Sequence, residues 1–286
     1  MIQFFVRLLC LPIPNKKWRK KLRRKLTNFL KNKLVDFGKI YYLNDSLHCE
    51  FCKCNELIGK DDKILIIAPH PDDDVIGCGG IMAKYSSQCD CLCINSSGFK
   101  RSYDTKSYEE IADERICEFY NAMDFLGIKN RWIFKIFGPT PHFDKMIAKE
   151  KDYLASVNFS KYTHIFVPDR NDGHREHQFL TKFFIPYLMM KQGYNSKTLI
   201  AYYNVWGTIT MPNYFEDITS IQQKKTDALL LYKSRMQVED NYAKRIAGLN
   251  YFYGLFINSK YAEAYHVEPI KKFLSYNDDK NWARYK

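Results

Sequence analysis

Two short polar stretches of the sequence place histidines and carboxylates directly after strand-like runs. The first, APHPDDD at residues 68–74, follows the apolar run ILII and contains His70 with three consecutive aspartates. The second, PDRNDGHREHQF at residues 168–179, follows the run YTHIFV and contains His174 and His177. Packing offers no reason for three aspartates at the end of a buried strand, whereas metal binding and acid–base chemistry both do.

Together the two stretches offer ligands for a divalent metal. His70, Asp73 and His177 supply imidazole and carboxylate groups, and three protein ligands with one open position are what a catalytic zinc requires. Such a metal lowers the pKa of a water molecule to about 7 and polarises a carbonyl group. Asp72 beside it could act as the general base. His174 is close enough in sequence to stabilise an oxyanion or to protonate a leaving amine.

Each stretch alone also admits a structural interpretation. The histidine and aspartates at 70–74 could form a turn that caps a helix N-terminus. HREH at 174–177 could be the solvated first turn of a helix. The metal interpretation depends on both stretches lying at strand ends with complementary ligands. The GCGG at 77–80 allows a tight backbone turn but lacks the spacing of a dinucleotide-binding fingerprint.

The elements that must position these residues alternate in type, which predicts an α/β fold. We expect a Rossmann-like three-layer sandwich with a mostly parallel sheet and a helical C-terminal part. Because ligands bind outside the carboxyl ends of such strands, the two polar stretches should meet at one edge. The predicted strands are 63–69, 89–97, 131–137, 162–168 and 198–206. The predicted helices are 79–88, 108–128, 143–157, 175–190, 220–236, 239–256 and 260–267.

The positive charge of the chain is concentrated at its N-terminus. Of the 44 Lys and Arg residues, eleven lie in residues 1–35, which contain no Asp or Glu, and this leaves 33 basic against 32 acidic residues elsewhere. Residues 16–37 have apolar side chains at helical spacing between the cations, which predicts a basic amphipathic helix. We expect it to bind an anionic membrane surface. Packing against the protein's own core and nucleic-acid binding are the alternatives.

These features predict the domain organisation and the compartment. We expect residues 1–37 to be a basic extension and residues 38–286 to be a single domain. Nucleic acid is a poor partner for this distribution, because the cations lie in the extension and not on the folded domain. No run approaches the roughly 20 apolar residues of a membrane span. Nine cysteines suit a reducing cytoplasm, and we expect a protein peripheral to the inner face of the cytoplasmic membrane.

Both polar stretches resemble motifs of the LmbE-like/PIG-L family of zinc-dependent N-deacetylases. The family's His-Pro-Asp-Asp-Glu motif corresponds to HPDDD at 70–74, and its His-Pro-Asp-His motif corresponds to HREH at 174–177. Weaker similarities occur at 115–127, in KTDALLLYKS at 225–234 and in YAEAY at 261–265. The resemblance extends over residues 63–267.

The resemblance implies a role for each of five residues. His70, Asp73 and His177 would bind Zn²⁺, Asp72 would be the base, and His174 would stabilise the tetrahedral intermediate. Fe²⁺ or Co²⁺ would also suit nitrogen and oxygen ligands. The implied reaction removes acetyl from an N-acetylated amino sugar. If the N-terminal helix binds a membrane, a lipid-linked sugar used in surface polysaccharide or glycolipid synthesis is a suitable substrate. A nucleotide-linked sugar is the second candidate substrate. The alternatives are a glycan- or nucleotide-binding protein without catalysis and a hydrolase of another amide.

Three positions depart from the family motifs. Asp74 replaces a glutamate, and Arg175 and Glu176 replace proline and aspartate. We expect Asp74, Glu176 and the nearby Asp172 to support the ligands or to contact substrate. The added charge of Arg175 could favour a phosphate or carboxylate on the substrate.

Overall fold

The computed structural model describes residues 57–98, 100, 102, 104–139, 141–209, 211–236 and 242–276, together with Leu22 and Lys25. Apart from those two residues, the predicted helix at 16–37 lies outside the described residues, so its membrane contact stays a prediction. The boundary between residues 37 and 38 also lies outside them. Across the described segments, no helix combines the length and the apolar character needed to cross a membrane.

A mixed sheet forms the centre of the described domain. Its strands are β1 (Ile64–Ala68), β2 (Cys89–Cys93), β3 (Arg131–Ile133), β4 (His164–Pro168), β5 (Leu199–Tyr203), β6 (Tyr214–Asp217) and β7 (Ala262–Pro269). Their order is β3-β2-β1-β4-β5-β7-β6. The first five strands run parallel, and β7 pairs antiparallel with both β5 and β6. The predicted mostly parallel sheet is confirmed.

Helices cover both faces of this sheet. They are α1 (Asp73–Lys84), α2 (Tyr108–Leu126), α3 (Phe143–Ala148), α4 (Glu150–Ser156), α5 (Arg175–Phe179), α6 (Ile185–Gln192), α7 (Gln222–Leu229), α8 (Lys233–Met236), α9 (Tyr242–Gly254) and α10 (Ile270–Ser275). Short 3₁₀ segments occupy Phe159–Lys161 and Leu255–Ile257, and a π-helical segment joins α5 to α6 at Leu180–Phe184.

Strand β1 shows why the sheet is buried on both sides. Successive side chains of a strand point to opposite faces. Ile64 and Ile66 belong to the hydrophobic core that includes α1, α2 and α7. Leu65 and Ile67 belong to the core on the other face, which includes α3 to α6. A strand buried on both faces needs an uninterrupted apolar run, which explains ILII and confirms the three-layer arrangement.

The prediction of a wholly helical C-terminal part is wrong in one segment. Residues 260–267 were expected to form a helix, and the structure has β7 there. Alanine and glutamate favour helices, but the backbone of β7 pairs with β5 on one side and β6 on the other. This pairing outweighs the local preference. Strand β6 had no strong signal in the sequence, whereas α7, α8 and α9 lie where helices were expected.

Two predicted helices differ from the structure in ways that matter for the site. Helix α1 begins at Asp73, six residues before the predicted start, so it includes two of the three aspartates. The predicted helix at 175–190 is divided into α5, the π-helical segment and α6, with Pro186 in the first turn of α6. A proline cannot donate the main-chain hydrogen bond of a continuous helix, and the change of helix type coincides with it.

Helix α1 lies very close to its neighbours because its glycines have no Cβ atoms. A Cβ added at Gly77 would lie 2.1 Å from the Tyr203 ring, and one at Gly80 would lie 2.4 Å from Ile218. Larger residues would therefore push α1 away from the sheet. The GCGG residues thus lie inside helix α1 and allow its close packing, so the prediction of a tight turn there is wrong.

A buried ion pair is bonded directly to the main chain of α1. Lys225 of α7 lies 2.6 Å from Glu263 of β7, and both side chains are almost wholly inaccessible to solvent. The Lys225 ammonium donates to the Ile76 carbonyl at 2.9 Å. The Glu263 carboxylate accepts from the Gly80 and Ile81 amides at 2.7 and 3.0 Å. The pair thus ties α1, whose first residue is Asp73, to α7 and β7.

Loss of one partner of this pair is expected to destabilise the fold. Lys225→Met leaves the Glu263 carboxylate buried without its counter-charge, which costs about 3–5 kcal/mol of unfolding free energy. Lys225→Met combined with Glu263→Gln should recover part of that loss, because no uncompensated charge remains. Urea unfolding followed by circular dichroism measures both variants. A loss below about 1 kcal/mol in the single variant would show that the pair does not hold α1.

Candidate metal centre

The two polar stretches meet at the carboxyl ends of β1 and β4, as predicted from the alternation of elements. These strands are neighbours and run parallel. His70 follows β1 by two residues and precedes α1, whereas His174 and His177 lie after β4, at the start of α5. The side chains of His70 and His177 are in contact although 107 positions separate them in the sequence.

Three of these side chains form a compact triangle of possible ligand atoms. His70 Nδ1 lies 3.0 Å from Asp73 Oδ2, and His177 Nε2 lies 3.1 Å from the same oxygen. The two nitrogens are 3.2 Å apart. Tetrahedral zinc with bonds of 2.0–2.1 Å holds its ligand atoms roughly 3.3 Å apart. All three side chains are buried, so the donor set and its spacing fit a small divalent cation.

His174 completes a looser group with His70 and His177, whose nitrogen atoms all lie within 4.8 Å of one another. The Nδ1 atom of His174 accepts a hydrogen bond from the Glu176 amide at 3.3 Å. A neutral imidazole that accepts at Nδ1 carries its proton on Nε2. Burial, followed by the proximity of His70 and His177, lowers the pKa of His174 to about 4. The ring is therefore a neutral hydrogen-bond donor at pH 7.

Carboxylates lie behind both histidines of the triangle. Glu176 Oε2 is 2.5 Å from His70 Nε2, and Glu176 Oε1 accepts from the His142 amide at 2.7 Å. Asp172 Oδ1 lies 3.1 Å from His177 Nδ1. Partners of this kind fix the orientation of a ligating imidazole and raise its basicity. Glu176 and Asp172 thus lie behind His70 and His177, respectively.

The three consecutive aspartates have three different environments. Asp73 belongs to the triangle, and Asp72 lines the adjacent cleft with a φ of 101°, which is uncommon outside glycine. The Asp72 carboxylate is 3.5 Å from Arg115, and burial raises its pKa to about 6. Asp74 instead accepts from the Tyr232 hydroxyl at 2.9 Å, and burial raises its pKa to about 8. The structure does not bring Asp74 into the cleft.

The cleft beside the triangle has a volume of about 370 Å³. Arg175, whose charge could favour an anionic group on the substrate, lies on its wall. The wall also includes residues that were not identified as site residues: Arg115, His142, Trp206, Arg235 and Tyr242. Two of these residues lie in segments that follow the carboxyl end of a strand, His142 after β3 and Trp206 after β5. The rule that ligands bind at carboxyl ends of strands could therefore have identified both.

The sequence of this chain matches a known protein family and a characterised relative. Residues 65–188, which include both polar stretches, match the family model described as PIG-L, GlcNAc-PI de-N-acetylase. Diacetylchitobiose deacetylase of Thermococcus kodakarensis is 26% identical over 239 residues, which are 76% of this chain and 87% of that protein. The resemblance to the LmbE-like/PIG-L family is confirmed.

Solved structures share the fold. N,N′-diacetylchitobiose deacetylase from Pyrococcus horikoshii aligns with a TM-score of 0.60 and 24% identity over 82% of this chain and 92% of that one. GalB, the 4-carboxy-2-hydroxymuconate hydratase from Pseudomonas putida KT2440, aligns with a TM-score of 0.54 and 16% identity over 72% and 95%. Proteins named for different reactions therefore share this architecture, and the site residues must decide the function.

Metal content should depend on the ligand atoms of the triangle and not on the carboxylate of Asp74, the next residue after Asp73 in the sequence. Asp73→Asn replaces an anionic carboxylate ligand with a neutral amide, and His177→Ala removes a ligand nitrogen, so we expect each purified variant to lose most of its bound divalent metal. Asp74→Asn is the matched control, because it changes the adjacent carboxylate that contacts Tyr232. It should retain the metal content of the unmodified chain, measured by inductively coupled plasma mass spectrometry.

Two further variants sharpen this experiment. Glu176→Gln should weaken metal affinity by about 10–100-fold, the usual effect of losing a carboxylate behind a ligating histidine. His174→Ala should leave the metal content unchanged. Metal loss on His174→Ala with retention on Asp73→Asn would assign the ligands to the three histidines and contradict the triangle.

Proposed function

We propose that this chain, whose residues 65–188 match the PIG-L family model, is a metal-dependent hydrolase that removes the acetyl group from an N-acetylated amino sugar. The observation that carries the proposal is the triangle of His70, Asp73 and His177 beside Asp72 in an open cleft. The similarity to diacetylchitobiose deacetylase supports both the reaction and the class of substrate.

A divalent metal, when bound, would supply the Lewis acidity that polarises the acetamide carbonyl and acidifies water. Asp72 lines the cleft next to the triangle and takes a proton from the attacking water. Its pKa of about 6 leaves it mostly ionised at pH 7 but basic enough to accept that proton. The proton held by Asp72 is then transferred to the amine nitrogen as the C–N bond breaks.

His174 acts on the oxygen that becomes negative when water adds to the acetamide. Its Nε2 proton is available because Nδ1 accepts from the Glu176 amide. A neutral donor in a partly buried position stabilises such an oxyanion without a change in its own charge. Of the two roles considered for His174, its low pKa favours stabilisation of the oxyanion over protonation of the amine.

Finer features of the function are part of the same proposal. We assign Zn²⁺ as the metal, since imidazole and carboxylate ligands at this spacing suit it. We assign a lipid-linked or nucleotide-linked sugar as the substrate, within surface polysaccharide or glycolipid synthesis. The concentration of cations in residues 16–37 supports attachment to the inner face of the cytoplasmic membrane. A protein that only binds a glycan would have no use for the ligand triangle.

Acetate release tests the reaction and the base together. Asp72→Asn keeps the shape of the side chain but removes its basicity, so kcat should fall by about 10²–10⁴-fold while the metal content stays unchanged. Acetate would be quantified on N-acetylglucosamine, N,N′-diacetylchitobiose and UDP-N-acetylglucosamine. Asp74→Asn again serves as the control and should retain most of the activity.

The possible outcomes separate the candidate functions. Full activity in Asp72→Asn would contradict the assignment of the base. Bound metal without acetate release from any N-acetylated sugar would contradict the proposed reaction. It would direct attention to hydrolysis of another amide or to a hydratase, the reaction named for a protein with the same fold.

A further inference from the structure

Arg175 is a charged residue on the wall of the cleft. It follows His174 directly, is exposed to solvent and lines the cleft. The family motif that this segment resembles has an uncharged proline there. Among the described residues, the structure shows no ion pair or hydrogen bond that uses the Arg175 side chain. Its five N–H groups are therefore available to a molecule in the cleft.

The carboxylates that line the cleft already have positively charged or histidine partners within the protein. Asp73 and Glu176 contact histidines, and Asp72 lies 3.5 Å from Arg115. Arg175 thus contributes a positive charge that forms no ion pair with any described carboxylate. Arg235 brings a further guanidinium to the same wall. Such a cleft attracts an anionic substrate more strongly than a neutral one.

An aromatic surface is fixed to the loop that directly precedes Arg175. The Trp206 amide donates to Asp172 at 3.0 Å, and the Trp206 carbonyl accepts from the Gly173 amide at 3.2 Å. A Cβ at Gly173 would lie 2.7 Å from that carbonyl, so glycine permits the close approach. The Trp206 side chain is 52% exposed, and its ring lies 6.4 Å from that of Tyr242. A sugar ring or a nucleobase can stack on such a surface.

We propose that Arg175 and Trp206 form a subsite for a phosphate ester on the anomeric carbon of the acetylated sugar. This inference rests on the proposed function, because the acetamide must lie at the metal centre. In a 2-acetamido sugar, the anomeric carbon is the direct neighbour of the carbon that bears the acetamide. A phosphate there enters the cleft together with the amide. The planar guanidinium of arginine matches two phosphate oxygens.

The test compares acetate release from sugars that differ in this phosphate. The full chain, loaded with Zn²⁺, would be given methyl N-acetylglucosaminide, N,N′-diacetylchitobiose and N-acetylglucosamine 1-phosphate. We expect kcat/KM for the 1-phosphate to exceed that for the neutral methyl glycoside by about tenfold or more, as for other charge-assisted hydrogen bonds. Arg175→Gln should reduce this ratio by about tenfold, mainly through KM. Arg175→Lys should retain part of it.

A matched control removes the same charge at a distance. Lys161 is exposed and precedes β4, at the opposite end of the sheet from the cleft. Lys161→Gln should therefore leave the ratio unchanged. Equal kcat/KM for phosphorylated and neutral sugars, or a ratio that survives Arg175→Gln, would overturn the subsite even with acetate released.

Two additional measurements identify the carrier of the phosphate and test the subsite even if no acetate is released. UDP-N-acetylglucosamine and a short-chain polyprenyl-diphosphate N-acetylglucosamine carry the same anomeric phosphate, and the better substrate identifies a nucleotide or a lipid carrier. If no sugar releases acetate, the proposed function fails, and calorimetric binding of N-acetylglucosamine 1-phosphate still tests the subsite. Equal affinity in the unmodified chain and in Arg175→Gln would then overturn it.

Discussion

The parallel pairing of β1 with β4 is the constraint on which the candidate site depends. Because both strands end at the same edge of the sheet, the loops after them deliver His70 and His177 to one point. The first stretch supplies two ligands of the triangle and the second supplies one, so only together do they provide the three that a tetrahedral site with an open position needs. The buried apolar residues of β1 and β4 therefore contribute to the site indirectly. They fix the positions at which the two ligand-bearing loops begin.

Burial of the polar ligand groups is unfavourable, and it is offset by hydrogen-bond and ion-pair partners that lie behind them. A triangle of two imidazoles and a carboxylate out of contact with water is unfavourable unless each group has partners. Glu176 and Asp172 provide them for the two histidines. Asp73 is the first residue of α1, and α1 is held from behind by the Lys225–Glu263 pair. The weaker family similarities in the C-terminal third fall on this pair, which explains why motifs distant from the metal centre belong to the same architecture.

Much of this arrangement could be predicted from the sequence, for identifiable physical reasons. Polar residues that interrupt an apolar pattern are conspicuous, and the rule that ligands bind at carboxyl ends of strands locates them. The choice of His70, Asp73 and His177 as candidate ligands and the α/β class followed from these two facts, whereas Glu176 and Asp172 were expected only to support the ligands or to contact substrate. Arg175 was identified by its charge alone.

Features that depend on long-range packing could not be predicted in the same way. The pattern of β7 favours a helix locally, and only its pairing with β5 and β6 makes it a strand. The direction of Asp74 depends on the position of Tyr232, which is 158 residues away in the sequence. The aromatic wall of the cleft depends on Trp206 and Tyr242, which come from separate elements. Sequence spacing contains no signal for such contacts.

X-ray absorption spectroscopy at the zinc edge of the full chain tests the central claim most directly. The chain has nine cysteines, so thiolate ligands are a real competitor for zinc. We expect only nitrogen and oxygen ligands at about 2.0–2.1 Å from the zinc, with the more distant scattering of two imidazole rings. Sulfur scatterers at about 2.3 Å would place the metal among cysteines and contradict the assignment of His70, Asp73 and His177.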